Sequence, residues 1–350
     1  MARPYYIKKL LYGQRGGVAI LFVLCLPVLL GFAALAVDLA RINLTRVELQ
    51  NAADAAVLAG ARSLSDPSVA ASDKPYNWTA ATITALDVVQ HNYANAALLH
   101  DAIIETGYLN LQDPSLGLRT SGTPGGDVPA IRVTVALSST QNNGPLQLFF
   151  APILGIAERN IQASAIAVIA APAAGKGLFP MVISKHLLDI YWNSTTRTPI
   201  LVNGVAPTVK IGTIYSINGV SQLWGQWTTF SIQNNNVPAI RTLIQYGNPT
   251  ELAIGDLTYI QPGAEATLYK TGSAPDELHV GDVAVFVVDE VVTGSYQPII
   301  AIAGFHISGS NQGKKYVEGY FINNVPAPGT NPGAGNGVPY GAYTPPILVE

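Results

Sequence analysis

Gly16-Gly17-Val18-Ala19-Ile20-Leu21-Phe22-Val23-Leu24-Cys25-Leu26-Pro27-Val28-Leu29-Leu30-Gly31-Phe32-Ala33-Ala34-Leu35-Ala36-Val37 is a run of 22 residues without a charge, and its reading decides the architecture of the chain. As a helix rising about 1.5 Å per residue it is about 33 Å long, which matches the roughly 30 Å hydrocarbon core of a bilayer. The run predicts a membrane span, with Gly17, Leu21, Pro27, Leu30 and Val37 marking its course. A proline inside such a helix is tolerated where the freed carbonyl finds another partner.

Arg3, Lys8, Lys9 and Arg15 precede the run with no acidic residue among them, whereas Asp38, Arg41, Arg46, Glu48 and Asp54 follow it with mixed sign. Positive charge resists translocation, so the four cations predict a cytoplasmic N-terminus. The rest of the chain then lies across a bacterial inner membrane, in the periplasm, tethered by a single pass. A cleaved secretion signal is the other reading, because Ala34-Leu35-Ala36 offers small residues to a signal peptidase. Against it, the run exceeds the roughly 7–15-residue core of such signals.

Composition narrows the function classes. The formal net charge is -3, which leaves no basic surface for nucleic acid. Only 12% of residues are charged, while Gly 33 and Pro 24 are plentiful, a balance typical of β-rich extracytoplasmic proteins with many turns. The single cysteine, Cys25, sits inside the apolar run, so there is no disulfide framework and no cysteine-ligated zinc site.

Beyond the span, Arg41 to Leu64 contains no proline and no glycine before Gly60, and its many alanines favour helix. The membrane helix is therefore expected to continue outward. Leu44, Val47, Val57 and Leu58 are spaced for a weak apolar stripe, with Gln50, Asn51 and Asp54 on other faces. The small-residue surface around Asn51, Ala52, Ala53, Asp54 and Ala56 suits close helix packing, either on partner helices or on the chain's own globular region.

Here the residues carry a resemblance. Gly13-Gln14-Arg15-Gly16-Gly17-Val18-Ala19-Ile20, Leu26-Pro27-Val28-Leu29-Leu30-Gly31, Ala36-Val37-Asp38-Leu39-Ala40-Arg41 and Leu49-Gln50-Asn51-Ala52-Ala53-Asp54-Ala55-Ala56-Val57-Leu58-Ala59-Gly60-Ala61 resemble the N-terminal signature of the TadG-like (TadE/TadG) proteins of Tad, or Flp-type, pilus assembly. The resemblance implies a membrane-anchored envelope protein whose partners are Tad pilus subunits or assembly proteins. It also raises prepilin processing, in which a glutamate stands at the fifth mature position. Counting from Gly13, Gly16 or Gly17 places Val18, Leu21 or Phe22 there, so a retained anchor is expected rather than a polymerising subunit.

The expected fold class is α+β: a long transmembrane helix extending outside the membrane, a small α/β segment, and a β-rich, sandwich-like or barrel-like domain. The corresponding divisions are 1–64, 65–174, 175–323 and a flexible Gly/Pro-rich tail, 324–350. In the second division Asp73 to His100 is helix-compatible, Ile131 to Leu137 and Ile161 to Ala170 read as strands, and Leu146 to Leu154 as a short helix. In the third, short strands are expected at Ile200–Val202, Val209–Ile217, Leu243–Tyr246, Leu257–Ile260, Val283–Val292, Ile299–Ile307 and Tyr316–Ile322. Val283 to Val288 is nearly continuous in apolar character and predicts a strand buried on both faces.

Signs of catalysis are missing. There is no G-x-S-x-G elbow and no second cysteine, and His91, His100, His186, His279 and His306 form no H-E-x-x-H pattern. No D-x-S-x-S loop of a von Willebrand type A domain occurs either. Asp256, Asp276, Glu277, Asp282, Asp289 and Glu290 could offer oxygen to calcium, but in no recognised spacing. No enzyme, metal or cofactor is therefore expected. Trp224 and Trp227 are candidate interface aromatics for a glycan or a pilus subunit, although core packing is the stronger reading of the pair. A secreted carbohydrate-binding or hydrolytic protein is the alternative function.

Overall fold

The computed structural model describes residues 17–65, 76–122, 127–263, 265–323, 325–327, 329–331, 338 and 340–349. Helix α1 (Gly17–Ser63) is unbroken for 47 residues and passes through Pro27. It has two halves with opposite surroundings. The apolar window of the first half is wholly unburied, which makes it a candidate membrane span. From Asp38 onward a stripe sinks into the protein: Asp38, Thr45, Leu49, Ala52, Ala53, Ala56, Val57, Ala61 and Leu64 are all buried, at the three- and four-residue spacing of one helix face.

That stripe lies on α2 (Trp78–Gln90), whose N-terminus is capped by Asn77, and on a sheet made of β1 (Ile103–Asn110), β2 (Asp127–Leu137) and β3 (Ile161–Val168). All pairs are antiparallel, in the order β3-β2-β1. Ile131, Val133 and Val135 of β2 and Ala163, Ala165 and Ala167 of β3 join the helix alanines in one core. Gly60 marks the tightest approach, since a Cβ there would stand 2.7 Å from Ile131 Cδ1 and 2.9 Å from the Ala81 carbonyl oxygen. The segment is thus a helix, a short hairpin (Tyr93–Ala94 paired with Ala97–Leu98) where the helix-compatible stretch was expected to run on to His100, and three strands, with only a 3-10 turn at Ala151–Leu154 where a helix was expected. Strand β1 was not anticipated, because Glu105 and Gly107 interrupt its apolar pattern.

The β-rich region begins with β4 (Met181–Ser184) and the short α3 (Lys185–Tyr191), and continues through β5 (Val209–Ile211), β6 (Gly225–Trp227), α4 (Val237–Tyr246), β7 (Leu257–Tyr259), β8 (Gly281–Val288), β9 (Tyr296–Asn311) and β10 (Tyr316–Phe321). Their order is β5-β10-β9-β8-β4-β6, with β7 also on β9. Only β4 and β8 run parallel. The sheet curls until its edges meet, where the Gly212 N–H donates to the Gly225 carbonyl at 2.9 Å. Of the two architectures the sequence left open, the barrel-like one is present. Strand β8 is buried on both faces as expected: Val285 and Val287 face one core with Trp224 and Trp227, while Phe286 and Val288 face another with Phe230.

Three expectations fail here. Ile200–Val202 is not a strand: only Val202 is bridged, to Val205, and the nearby pairing is at Thr198–Pro199. Leu243–Tyr246 is the last turn of α4, not a strand, because Asn236 accepts the Ala239 N–H at 2.8 Å and starts a helix with Pro238 in its first turn. The 324–350 segment is no free tail where it is described. Val325–Pro326 pairs with Ala342–Tyr343, and β11 (Ile347–Val349) runs back to pair antiparallel with β3 as the fourth strand of the first sheet. Tyr343 is buried in the first core and Tyr340 in the second, so aromatic burial outweighs the glycine and proline around them.

Candidate functional site

The base of the long helix, where α1 passes from exposed to buried, brings together the most unusual set of groups in the molecule. Asp38 is the first charged residue after the apolar run and is 3% exposed. Its carboxylate accepts three backbone N–H groups from the loop between β2 and β3: Phe149 at 2.8 Å, Phe150 at 2.9 Å and Ala151 at 2.7 Å. These are the donors that the 3-10 turn leaves free at its N-terminus. Burial pushes the Asp38 carboxyl up, but the three N–H bonds and the nearby Arg41 guanidinium outweigh it and hold its pKa below 3.8.

Arg41, one turn on, lies over the Phe149 ring at 4.2 Å and donates to Asn95 Oδ1 at 2.8 Å. Glu48 accepts the Asn95 N–H at 2.7 Å. Asn95 and the following Ala96 have φ of 52° and 60°, the paired left-handed values of a two-residue hairpin turn. So α1 is clamped on one side by the 149–151 loop and on the other by a hairpin tip.

The side chains that Asp38 holds in place are greasy and unburied. Ile153 is 85% exposed and Phe149 65%, with Leu154, Phe150 and Ile156 also exposed. Phe150, Ile153 and Leu154 line an apolar groove of about 260 Å³ whose other wall is the first half of α1. Sequence reasoning placed a short helix here but missed the cluster, although Phe149-Phe150-Ala151-Pro152-Ile153-Leu154 is legible as an apolar run flanked by turn residues.

The other singled-out residues fall elsewhere. Ala52, Ala53 and Ala56 are buried against α2 and the sheet, Asp54 is half-buried and bonded to Gln50, and Asn51 faces outward. The small-residue face is thus occupied by the chain's own globular region, and Leu44 and Val47 stay exposed. Trp224 and Trp227, read as candidate interface aromatics, are 1% and 0% exposed and belong to the inner core of the curled sheet. Trp224 donates its indole N–H to the Tyr215 carbonyl at 2.9 Å. Their rings cannot meet a partner. In the span, Leu21 and Leu30 are exposed and Pro27 lies within the helix. Arg3, Lys8, Lys9 and Arg15 lie outside the described residues.

The acidic stretch disperses into separate pairs. Asp276 bonds Arg241 at 3.1 Å, Glu277 bonds Lys270 at 2.7 Å, Asp282 meets His306 Nδ1 at 2.5 Å, and Asp256 accepts the Ala253 N–H. Among the described residues no three His, Cys, Asp or Glu side chains gather as a metal site. His306 stacks on Tyr320 on the outside of β9 and β10, a cross-strand arrangement with Asp282 that needs no chemical role.

A second junction ties the two cores together. Tyr76 packs edge-on to Trp78 at 5.4 Å and to Tyr343 at 6.3 Å, and Arg197 from the β-rich region lies over its ring at 5.4 Å and donates to its hydroxyl. Burial pushes the Tyr76 pKa up to about 12, against the pull of Arg197.

Residues 16–63 match the Flp pilus-assembly TadE/G-like family model, and residues 59–167 match the Tad-like Flp pilus-assembly (Tad_C) family model. Together they span α1, α2 and the first three strands. The matches indicate involvement in Tad/Flp-type pilus assembly, and families of this kind are generally non-enzymatic. No curated protein and no solved structure matches the chain.

Proposed function

We propose that this chain, whose residues 16–167 match the Tad family models, is a TadG-like, single-pass, non-enzymatic envelope scaffold for Tad/Flp-type pilus assembly. The first half of α1 crosses the inner membrane with Arg3, Lys8, Lys9 and Arg15 on the cytoplasmic side. The two cores stand in the periplasm, where the curled sheet offers its surface to pilus subunits or assembly proteins. The single observation that carries this reading is the division of α1 at Asp38. Every described apolar residue before it is unburied or nearly so, and the stripe after it is locked into the globular region. A helix built that way transmits the position of the membrane rigidly to the domain.

With the Ala52, Ala53 and Ala56 face consumed internally, the outward strip Leu44, Val47, Asn51 and Ala55 is the part of α1 left for other helices. The test is made on the full chain in its own cells, with a photo-crosslinking residue at Val47 and protease added to spheroplasts. The reading expects a carbonate-resistant membrane protein whose globular part is cut only from outside, crosslinked to Tad components. Recovery of a soluble chain beginning at Val37 would instead support release after Ala36.

A further inference from the structure

The apolar loop at the base of α1 is the feature that neither the scaffold reading nor the family matches assign. We propose that residues 148–156 form a second membrane contact, a wedge that enters the leaflet on the domain side and packs its side chains, with the first half of α1, around lipid acyl chains. The proposal rests on α1 being the membrane span.

Three observations carry it. The first is position: Phe150, Ile153 and Leu154 share one groove with Val28, Phe32 and Leu35. Val28 lies ten residues before Asp38, about 15 Å along a helix, so a bilayer that covers the span also covers the loop beside it. The second is exposure. Large apolar side chains such as Ile153, at 85% exposed, and Phe149, at 65%, are costly in water and are not covered by any other part of the described chain.

The third is the backbone. Hydrocarbon admits irregular chain only where its polar groups are already paired. Leu148, Ile153, Gly155 and Ile156 donate their N–H to carbonyls within the loop or its stem. Asp38 takes those of Phe149, Phe150 and Ala151, and Pro152 has none. Asp38 thereby removes the three donors that would otherwise resist entry, and it does so from the level where charge first appears on α1. Arg41, the next charged residue of α1, lies over the Phe149 ring at 4.2 Å at that same level. The occupant is therefore the bilayer itself, because the groove is continuous with the span and open along it.

The experiment uses the full chain with Cys25→Ser, reconstituted in phosphatidylethanolamine and phosphatidylglycerol vesicles. Single cysteines Ile153→Cys, Leu30→Cys and Ile214→Cys carry a nitroxide label. Collisions with oxygen report lipid, and collisions with a nickel chelate report water. Leu30→Cys serves as the span reference, and Ile214→Cys, on an exposed strand of the β-rich region, as the aqueous one. The expected result is an oxygen-to-nickel ratio at 153 severalfold above that at 214 and close to that at 30. If 153 reads as water while 30 reads as lipid, the wedge is wrong and the anchor stands. Shielding of 153 from both reagents, as a protein-covered site gives, also overturns it. If 30 and 153 both read as water, the anchor fails and the wedge with it. Equal circular dichroism of the three labelled chains confirms that each has folded.

Discussion

The carboxylate of Asp38 and the backbone N–H of Ala151 meet at 2.7 Å although 113 residues of chain separate them. One short side chain thus joins the end of the exposed helix half to the loop between β2 and β3. Removing it leaves three donors without an acceptor, a loss larger than that of a single neutral bond.

Asp38→Ala is expected to lower the melting temperature of the detergent-solubilised chain and to open the 148–156 loop to limited proteolysis. Asp38→Asn, which keeps one acceptor oxygen, should fall between. The effect has a pH signature. Because the folded pKa lies below the unfolded value near 3.8, the contribution is fully present above that value and is lost as pH falls through the folded pKa. Wild type and Asp38→Ala should therefore differ in melting temperature at pH 7 and converge toward pH 2. A constant difference across that range would show that the carboxylate charge is not what holds the loop.

Gly60 sits where α1, α2 and β2 converge. Gly60→Ala gains about 1 kcal/mol of helix propensity, but its methyl would press on the Ala81 carbonyl and on Ile131. Overpacking of this kind costs about 1–3 kcal/mol, so a small net loss is expected, and Gly60→Val should be worse by a further ~1–2 kcal/mol by the same argument. Urea unfolding checks the order. A stabilised Gly60→Ala would mean that α1 and α2 can spread.

Tyr343 gives predictions of opposite sign. It is 3% exposed in the first core, and its hydroxyl is buried without a hydrogen-bond partner. Tyr343→Phe should be neutral or stabilising by up to about 1 kcal/mol, whereas Tyr343→Ala should cost about 3–5 kcal/mol. Equal losses in the two variants would point to an ordered water on the hydroxyl.

Alkali should unfold the protein through its buried phenols. Tyr76 and Tyr269 have pKa values pushed up to about 12 by burial, from 10.0. Raised folded values contribute stability that is present below pH 10 and is lost as pH climbs toward 12, on the order of 2–3 kcal/mol for each. Absorbance at the tyrosinate band should rise cooperatively with loss of β structure in that interval. Gradual ionisation with the fold intact would contradict the burial of both rings.

The parts of this architecture that could be read in advance were those with a strong period or a long run. The uncharged stretch to Val37, the alternating Ile131–Leu137 strand and the doubly buried Val283–Val288 strand all appear as expected. What hid was carried by small or isolated residues. The buried face of α1 is made largely of alanine, so Leu44 and Val47 looked like its apolar stripe although they point outward. For Trp224 and Trp227 core packing was already the stronger reading, and the closure of the sheet around them decides it. The role of Asp38 was not legible, because its partners are backbone groups of a distant loop.

Strand β11 gives the first sheet a debt that only the far end of the described chain can settle. Its fourth strand reaches β3 only after the whole curled sheet has been synthesised. Until then the outer edge of β3 is an open seam, available to any passing strand. Completion of the chain and closure of the first sheet are coupled by that seam, and a helper that shields β3 during the interval would act on a state the finished molecule no longer displays.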